Sequence, residues 1–328
     1  MGLVCKGCDG LGDKKYLLFE RCQCSGEEKE IVQKEIRAEE EEQRRTKAVE
    51  MGCQGAWTRW ETEDRNLTWA EIWRYPAYQL KFLLRSVYDT LPSPANLHRW
   101  NLIEKPDCAL CGKLGTLAHV LSSCQVALAQ GRYTWRHNQV LREFADSLEQ
   151  ECKARPNKKR VPIQFVREGQ TPSKSKAGSR SGILDQAVDW KMAVDLGTRL
   201  TFPEIVPTTL RPDIVLWSPG TKKIIAIELT VPWEERCAEA HERKKAKYED
   251  LLAECRQQGW QTCNFPIEVG TRGFPAQSVW HMFSDLGMTG GRRKSALQKV
   301  TQSAEIASCW VWTRRDTSSW KPTTTHSA

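Results

Sequence analysis

The chain has 328 residues, with 49 Lys plus Arg against 41 Asp plus Glu, a formal net charge of +8 and 13 cysteines. That length allows one sizeable domain plus smaller modules, and the lack of any apolar run of about 15 residues argues against a membrane-spanning helix or a secretory signal. An odd cysteine count at metal-type spacing argues against a disulfide framework and for a reducing compartment.

Residues 1–54 read as a charged, flexible extension. Cys5-x2-Cys8 and Cys22-x-Cys24 are a weak second zinc candidate, because the Cys-x-Cys half fits no established spacing. Glu27 to Glu50 is a charged run with little apolar periodicity, either an exposed helix or a disordered stretch.

Residues 55–150 read as a mostly helical module. Thr68-Trp-Ala-Glu71 is a capping-box start. Ala77 to Asp89 has an amphipathic helical pattern, ended by Leu91-Pro92. Trp57, Trp60, Trp69, Trp73, Trp100 and Trp135 crowd this segment. They are expected to fill helical cores that have few aliphatic partners, although exposed indoles would suit stacking on bases. Cys108-x2-Cys111-x7-His119-x4-Cys124 offers three thiols and an imidazole at zinc-ligand spacing. Gly112 and Gly115 let the chain turn back, and His119 and Cys124 lie near one helical turn apart. The competing reading is a set of buried free cysteines. A structural zinc at these four residues would supply much of the local folding energy.

Residues 151–182 hold nine basic and two acidic residues, with Lys158-Lys159-Arg160 at the centre of several Pro, Gly and Ser. Such a run reads as a basic linker that attracts phosphate. A solvated tether or a nuclear-localisation stretch is equally compatible.

The segment 183–315 reads as an α/β domain. A helix is expected from Ser181 to Leu196. Arg211-Pro212-Asp213 then opens the run Asp213 to Trp217, and Ile224 to Glu228 follows after Ser218-Pro-Gly-Thr-Lys-Lys223. The Pro-Gly core makes this a hairpin. If Ser218 pairs with Lys223, Asp213 lies opposite Glu228. Period-two alternation puts both carboxylates on one face, with Ile214, Leu216, Ile225 and Ile227 on the other. Two carboxylates that close repel unless a positive group lies between them. A hard divalent cation such as magnesium, which takes oxygen ligands, fits that role. The competing reading is a pair of strand-end acids meeting solvent. Beyond Val231-Pro-Trp233 a helix is expected over Glu234–Gln258, with Ala238, His241, Lys245, Tyr248, Leu251, Leu252 and Cys255 on one stripe. Gly259 stops it, and Trp260 to Val269 reads as a strand. Residues 316–328 read as a disordered Thr/Ser-rich tail.

This order resembles the PD-(D/E)xK restriction-like nuclease core. The chain as a whole, over about residues 55–315, resembles the C-terminal region of site-specific non-LTR retrotransposon polyproteins. The matching segments are Val87–His98, the Cys108/Cys111/His119/Cys124 knuckle, Gly131-Arg-Tyr-Thr-Trp-Arg-His-Asn138, Arg211-Pro-Asp213, Glu228-Leu-Thr-Val-Pro-Trp-Glu-Glu235, Ala240–Tyr248 and Gly270-Thr-Arg-Gly-Phe-Pro275. The resemblance implies an α/β restriction-endonuclease-like core, a mixed central sheet flanked by helices, preceded by a zinc-knuckle module. It implies a DNA endonuclease that nicks its target to prime reverse transcription in the nucleus, with target DNA and element RNA as partners and no membrane or small-molecule partner. Asp213 and Glu228 would hold Mg2+ or Mn2+, and the knuckle would hold a structural Zn2+ and help bind nucleic acid. The family's lysine, two residues after the glutamate, is replaced by Thr230; Lys244 or Lys247 on the following helix would supply it. Asp189 or Asp195 would be a third acid, and Arg211 a phosphate contact or a fixed charge beside Asp213. No polymerase palm motif is found. The alternative is a non-catalytic, zinc-dependent nucleic-acid-binding relic or repurposed retroelement protein.

Overall fold

The computed structural model describes residues 26–63, 65, 67–154, 182–197 and 199–320. The cysteines at 5, 8, 22 and 24, and Lys158, Lys159 and Arg160, lie outside the described residues. In the unit that runs to Gly52, α1 (Gly26–Glu50) is a long charged helix. Glu, Lys, Arg and Gln favour helix intrinsically, and i,i+4 pairs such as Glu40–Arg44 at 3.5 Å line its surface.

From Cys53 onward the chain forms one compact unit. After a 3-10 turn at Ala56–Arg59, α2 (Trp69–Arg74) opens with the expected capping box between Thr68 and Glu71. The next helix, α3 (Ala77–Val87), stops just before Asp89, which takes a φ of 47°. Ser93 caps α4 (Pro94–Arg99), whose first residue is a proline already set for helix. A π-helical turn (His119–Ser123), α5 (Gln125–Ala129) and the long α6 (Arg132–Ala154) complete the helical half.

The second half is built on a mixed four-stranded sheet. Strands β1 (Lys191–Val194), β2 (Ile214–Ser218) and β3 (Lys223–Thr230) run antiparallel in that order, and β4 (Gln261–Glu268) pairs parallel to β3. The β3–β4 crossover is made by α7 (Cys237–Lys247) and α8 (Glu249–Gln257), and α9 (Gln277–Asp285) and α10 (Gly290–Thr313) follow. A parallel pair needs such a crossover, because a hairpin cannot reverse the chain twice. The hairpin register is the expected one, with Ser218 opposite Lys223 and Ile214 opposite Ile227.

The sheet separates two apolar layers. Ile214, Leu216, Ile225 and Ile227 pack with Val140, Leu141, Phe144 and Leu148 of α6, with α9, and with Ala296, Val300 and Ala304 of α10. On the opposite face Val215, Ile224 and Ala226 meet Tyr248, Leu251, Leu252 and Cys255 from the crossover, plus Leu200, Phe202 and Val206. Each of the large aliphatic or aromatic side chains fully buried here stabilises the fold by roughly 1.5–3 kcal/mol. The helical half therefore does not close a core by itself: α6 is one wall of the sheet's core.

Several expectations are corrected. No helix covers 182–196; Ile183–Gln186 is a 3-10 turn and β1 follows. Trp190, Met192 and Val194 join one layer and Ala193 the other, a period of two rather than 3.6. The single helix expected over 234–258 begins with a 3-10 turn (Glu234–Arg236) and breaks at Tyr248, whose φ is −108° and ψ 3°. Ala238 and Lys245, expected on the apolar stripe, are exposed, and Cys237 and Ala240 are buried instead. The tryptophans of the helical half fill its cores only in part: Trp135 packs against a buried cluster and Trp57 and Trp60 are half-buried, but Trp69 is 75% and Trp73 83% exposed. Residues 316–320 are not a loose tail, since Trp320 meets the Trp135 ring edge-on at 5.5 Å and Arg132 donates to the carbonyl of Thr317.

Candidate active site and metal centre

The hairpin and the crossover bring four expected residues together. Backbone N–H of Asp213 lies 3.3 Å from Glu228 Oε2, so the two acids are cross-strand neighbours on the face covered by α7 and α8. Glu228 is only 3% exposed. Its Oε1 accepts from Lys244 Nζ at 2.5 Å and Lys247 Nζ at 3.1 Å. The two lysines, three residues apart on α7, thus present the same helix side to the sheet. Thr230 sits one pleat beyond Glu228, and its buried Oγ1 has no hydrogen-bond partner among the described residues.

Two further residues complete the cluster. Tyr248, fully buried at the α7–α8 break, places its hydroxyl 2.8 Å from Glu228 Oε2 and 2.8 Å from the Arg211 carbonyl, and accepts from Lys247 at 2.7 Å. Burial first, and the Glu228 carboxylate second, push its pKa far up, so the phenol keeps its proton. His137 of α6 places Nε2 3.3 Å from Asp213 Oδ2 and 3.3 Å from the Leu229 carbonyl. Burial alone would lower its pKa, but the hydrogen bond and charge of Asp213 outweigh that and raise it. The same Oδ2 accepts the Leu229 N–H at 2.7 Å. Asp213 Oδ1 is free of hydrogen bonds among the described residues, and that side chain is 15% exposed.

His137 and Tyr248 lie in segments that carry the resemblance, but nothing in the sequence gives either a role at this site. The imidazole belongs to the Gly131–Asn138 segment, yet nothing local ties it to a strand 76 residues away. Tyr248 falls on the apolar stripe of the crossover, which by itself says nothing of its hydroxyl. Arg211 faces Asp195 at 3.7 Å rather than Asp213. The two candidate third acids differ in position: Asp195 lies across the strand pair from Asp213, its N–H donating to the Asp213 carbonyl at 2.9 Å, whereas Asp189 lies at the far end of the hairpin. Asp189 precedes β1 and binds Ser218 Oγ and the Gly220 N–H at the hairpin turn. Asp195, just after β1, caps the Leu200 N–H at 2.9 Å.

The second centre is the Cys/His cluster. One ligand atom from each of Cys108, Cys111, His119 and Cys124 lies within 4.8 Å of all the others, so these residues can hold a metal ion such as zinc. Cys108 Sγ and Cys124 Sγ are 4.0 Å apart, and Cys111 Sγ and His119 Nε2 are 3.1 Å apart. With zinc–sulfur bonds of ~2.3 Å a tetrahedral edge would be about 3.8 Å. A short bridge between Asp107 and Leu114, and a φ of 69° at Gly112, fold the first two ligands into one turn. The π-helical turn fits the x4 spacing, because its wider coil, with i to i+5 bonding, brings the residue after the turn back toward the side of residue i. Without a cation, burial pushes the Cys108 thiol up to about 11 and holds His119 below the usual range. A metal would reverse the first of these by stabilising the thiolate.

The two centres are joined by α6. Tyr133 accepts the Cys124 N–H at 3.1 Å and lies 2.9 Å from the Val120 carbonyl. Arg136 donates to the Leu121 carbonyl at 2.7 Å and the Val231 carbonyl at 3.2 Å, linking the knuckle to the exit of β3. A buried pair, Arg272–Glu234 at 2.7 Å, braces the same exit, with the guanidinium between the rings of Trp60 and Trp233. No protein-family model matches this chain, and no curated protein matches it in sequence.

Proposed function

We propose that the protein is a metal-dependent DNA endonuclease with a restriction-like core, of the kind used by non-LTR retrotransposons to nick target DNA. The observation that carries this reading is the convergence of Lys244 and Lys247 from the crossover helix on Glu228, beside Asp213, on one sheet face. Two carboxylates and a lysine side by side are the ingredients of metal-assisted phosphodiester hydrolysis. A cation site is consistent with the donors present: both acids offer hard oxygens, and Asp213 Oδ1 is uncommitted among the described residues. Asp213 and Glu228 would hold Mg2+ or Mn2+, which when bound supplies an activated water and Lewis acidity.

The protein's own groups have separate roles in this reading. His137 and the Leu229 N–H fix one oxygen of Asp213 and so aim the other. Tyr248 fixes Glu228 Oε2. Lys244 places an ammonium beside the acids, where it would oppose charge building on a phosphate in the transition state. The Cys/His centre would carry a structural zinc and help grip nucleic acid. No helix among the described residues is long and apolar enough to cross a membrane.

A non-catalytic nucleic-acid-binding protein is the second reading. It is favoured by Thr230 at the usual lysine position and by the full set of internal partners on Glu228. Nicking of supercoiled plasmid in magnesium, with Asp213→Asn and Glu228→Gln as controls, decides between them. Metal-dependent nicking lost in both variants supports the enzyme; DNA binding without nicking under any divalent cation supports the binding protein.

A further inference from the structure

Helix α2 carries an arrangement that the cleavage site does not use. Trp69 and Trp73 are one turn apart and are 75% and 83% exposed, on a helix with no buried residue. Leaving two indoles in water forgoes a large apolar burial, since an aromatic side chain typically covers about 150–250 Å² when packed. The other side of α2, through Glu71 and Arg74, forms the rim of a groove of about 530 Å³. Opposite lie Arg293 and Lys294 in the first turn of α10, and Trp280 of α9.

Charge in this groove is unbalanced. Among the described residues four cationic side chains line it, Arg65, Arg74, Arg293 and Lys294, against the carboxylates of Glu63 and Glu71. Arg65 is neutralised by Glu305 at 2.8 Å. Glu71 is held by Thr68 and by Gln298 at 2.8 Å. Arg74 and Lys294 have no hydrogen bond or close ion pair among the described residues, although the Lys294 charge acts on the Glu71 carboxylate. Arg293 lies flat on Trp280, 3.6 Å from the ring centroid, steadied by a 2.8 Å bond to Ser284 Oγ. The result is a cationic Arg293–Trp280 stack in a groove that also presents Arg74 and Lys294, with the open indoles of Trp69 and Trp73 on the other side of α2.

We infer that this groove and the Trp69–Trp73 face form a binding surface for single-stranded nucleic acid. Phosphates of the strand meet Arg74 and Lys294, and unpaired bases stack on the indoles and on the Arg293–Trp280 shelf. A duplex does not fit this chemistry, because its bases are already stacked on one another and present no free face. An apolar protein partner would use the indoles but leave Arg74 and Lys294 without a role. The inference does not depend on cleavage, because binding is measured where the candidate nuclease cannot act.

The test uses the full chain, zinc-loaded and in magnesium-free buffer, titrated with a fluorescent 20-nucleotide single strand over a range of salt. Trp69→Ala/Trp73→Ala should weaken binding about tenfold or more, the effect of removing one or two base–aromatic stacks, with an unchanged salt slope. Arg74→Ala/Lys294→Ala should weaken binding and lower the log–log salt slope by roughly 1.4, about 0.7 for each single-strand phosphate that is no longer neutralised. Lys191→Ala, an exposed lysine on β1, should change neither by a comparable amount. All substituted side chains are exposed, so circular dichroism should be unchanged. Wild-type affinity in the tryptophan variant, an unchanged slope in the cation variant, or an equal loss on duplex DNA would each overturn the inference.

Discussion

Tyr248→Phe removes a single oxygen from the centre of the candidate active site and leaves the ring in place, so it opens no cavity of consequence. The hydroxyl has one proton and two oxygens within 2.8 Å, Glu228 Oε2 and the Arg211 carbonyl. The bond to the carboxylate is charge-assisted, and such bonds contribute roughly 1.5–3 kcal/mol. Two features limit the loss. Glu228 Oε2 keeps the Asp213 N–H at 3.3 Å, and Lys247, which is 40% exposed, falls back on Glu228 Oε1 and solvent. The net cost should be about 2 kcal/mol. Tyr133→Phe is the comparison. Its hydroxyl meets only neutral groups, the Cys124 N–H and the His119 and Val120 carbonyls, and should cost about 1 kcal/mol. Urea unfolding reads both as midpoint shifts at constant slope. If Tyr248→Phe costs less than about 0.5 kcal/mol, or less than Tyr133→Phe, the hydroxyl is not held by a buried carboxylate and the description of the site is wrong.

The metal centre should hold one zinc per chain; elemental analysis reads it directly, and Cys124→Ser should lose the metal and lower the melting temperature, whereas a metal-free wild-type chain with unaltered stability contradicts the centre. Lys244→Ala should slow single-turnover nicking by orders of magnitude and also cost some stability, because it removes an ammonium partner of the buried Glu228, while the more exposed Lys247→Ala should mainly lower the salt slope of duplex binding by about one unit. Two variants that cut at the wild-type rate would show that α7 does not supply the missing lysine. Glu268 provides a pH test. Burial raises its pKa above the ordinary range despite bonds from Ser278 and His241, and its Oε1 has no partner among the described residues. A carboxyl raised in the folded state stabilises fully below its unfolded pKa of about 4.3 and loses that contribution as pH climbs through the folded value. Wild type should therefore lose stability relative to Glu268→Gln from about pH 4 upward, then run parallel to it; melting curves that stay parallel throughout would exclude a buried, late-ionising carboxyl.

Local chemistry was legible where one short segment contains its own instructions. The Pro-Gly turn between two short apolar runs set the β2–β3 register, and the register put Asp213 beside Glu228. Thr68 and Glu71 specify a helix start within four residues. The cysteine and histidine spacing brought four ligands together because a turn and a π-helical pitch are local geometries. Short apolar runs were less legible. Met192 to Val194 is too brief for a period of 2 to be told from 3.6, and only pairing with β2 makes it a strand.

Sequence by itself thus placed Asp213 beside Glu228, grouped Cys108, Cys111, His119 and Cys124, and put Lys244 and Lys247 on one helix face, since each rests on spacing within about 20 residues. Tertiary structure alone decided what surrounds them. His137 reaches Asp213 because α6 packs on the sheet through Val140, Leu141, Phe144 and Leu148, a packing driven by non-directional burial that no motif encodes. Tyr248 meets Glu228 because the crossover breaks there, and Trp69 and Trp73 stay in water because α2 has no core face to offer. Hydrophobic burial chooses which helix covers a face by total apolar area, so the identity of a distant neighbour emerges only when the whole core has closed.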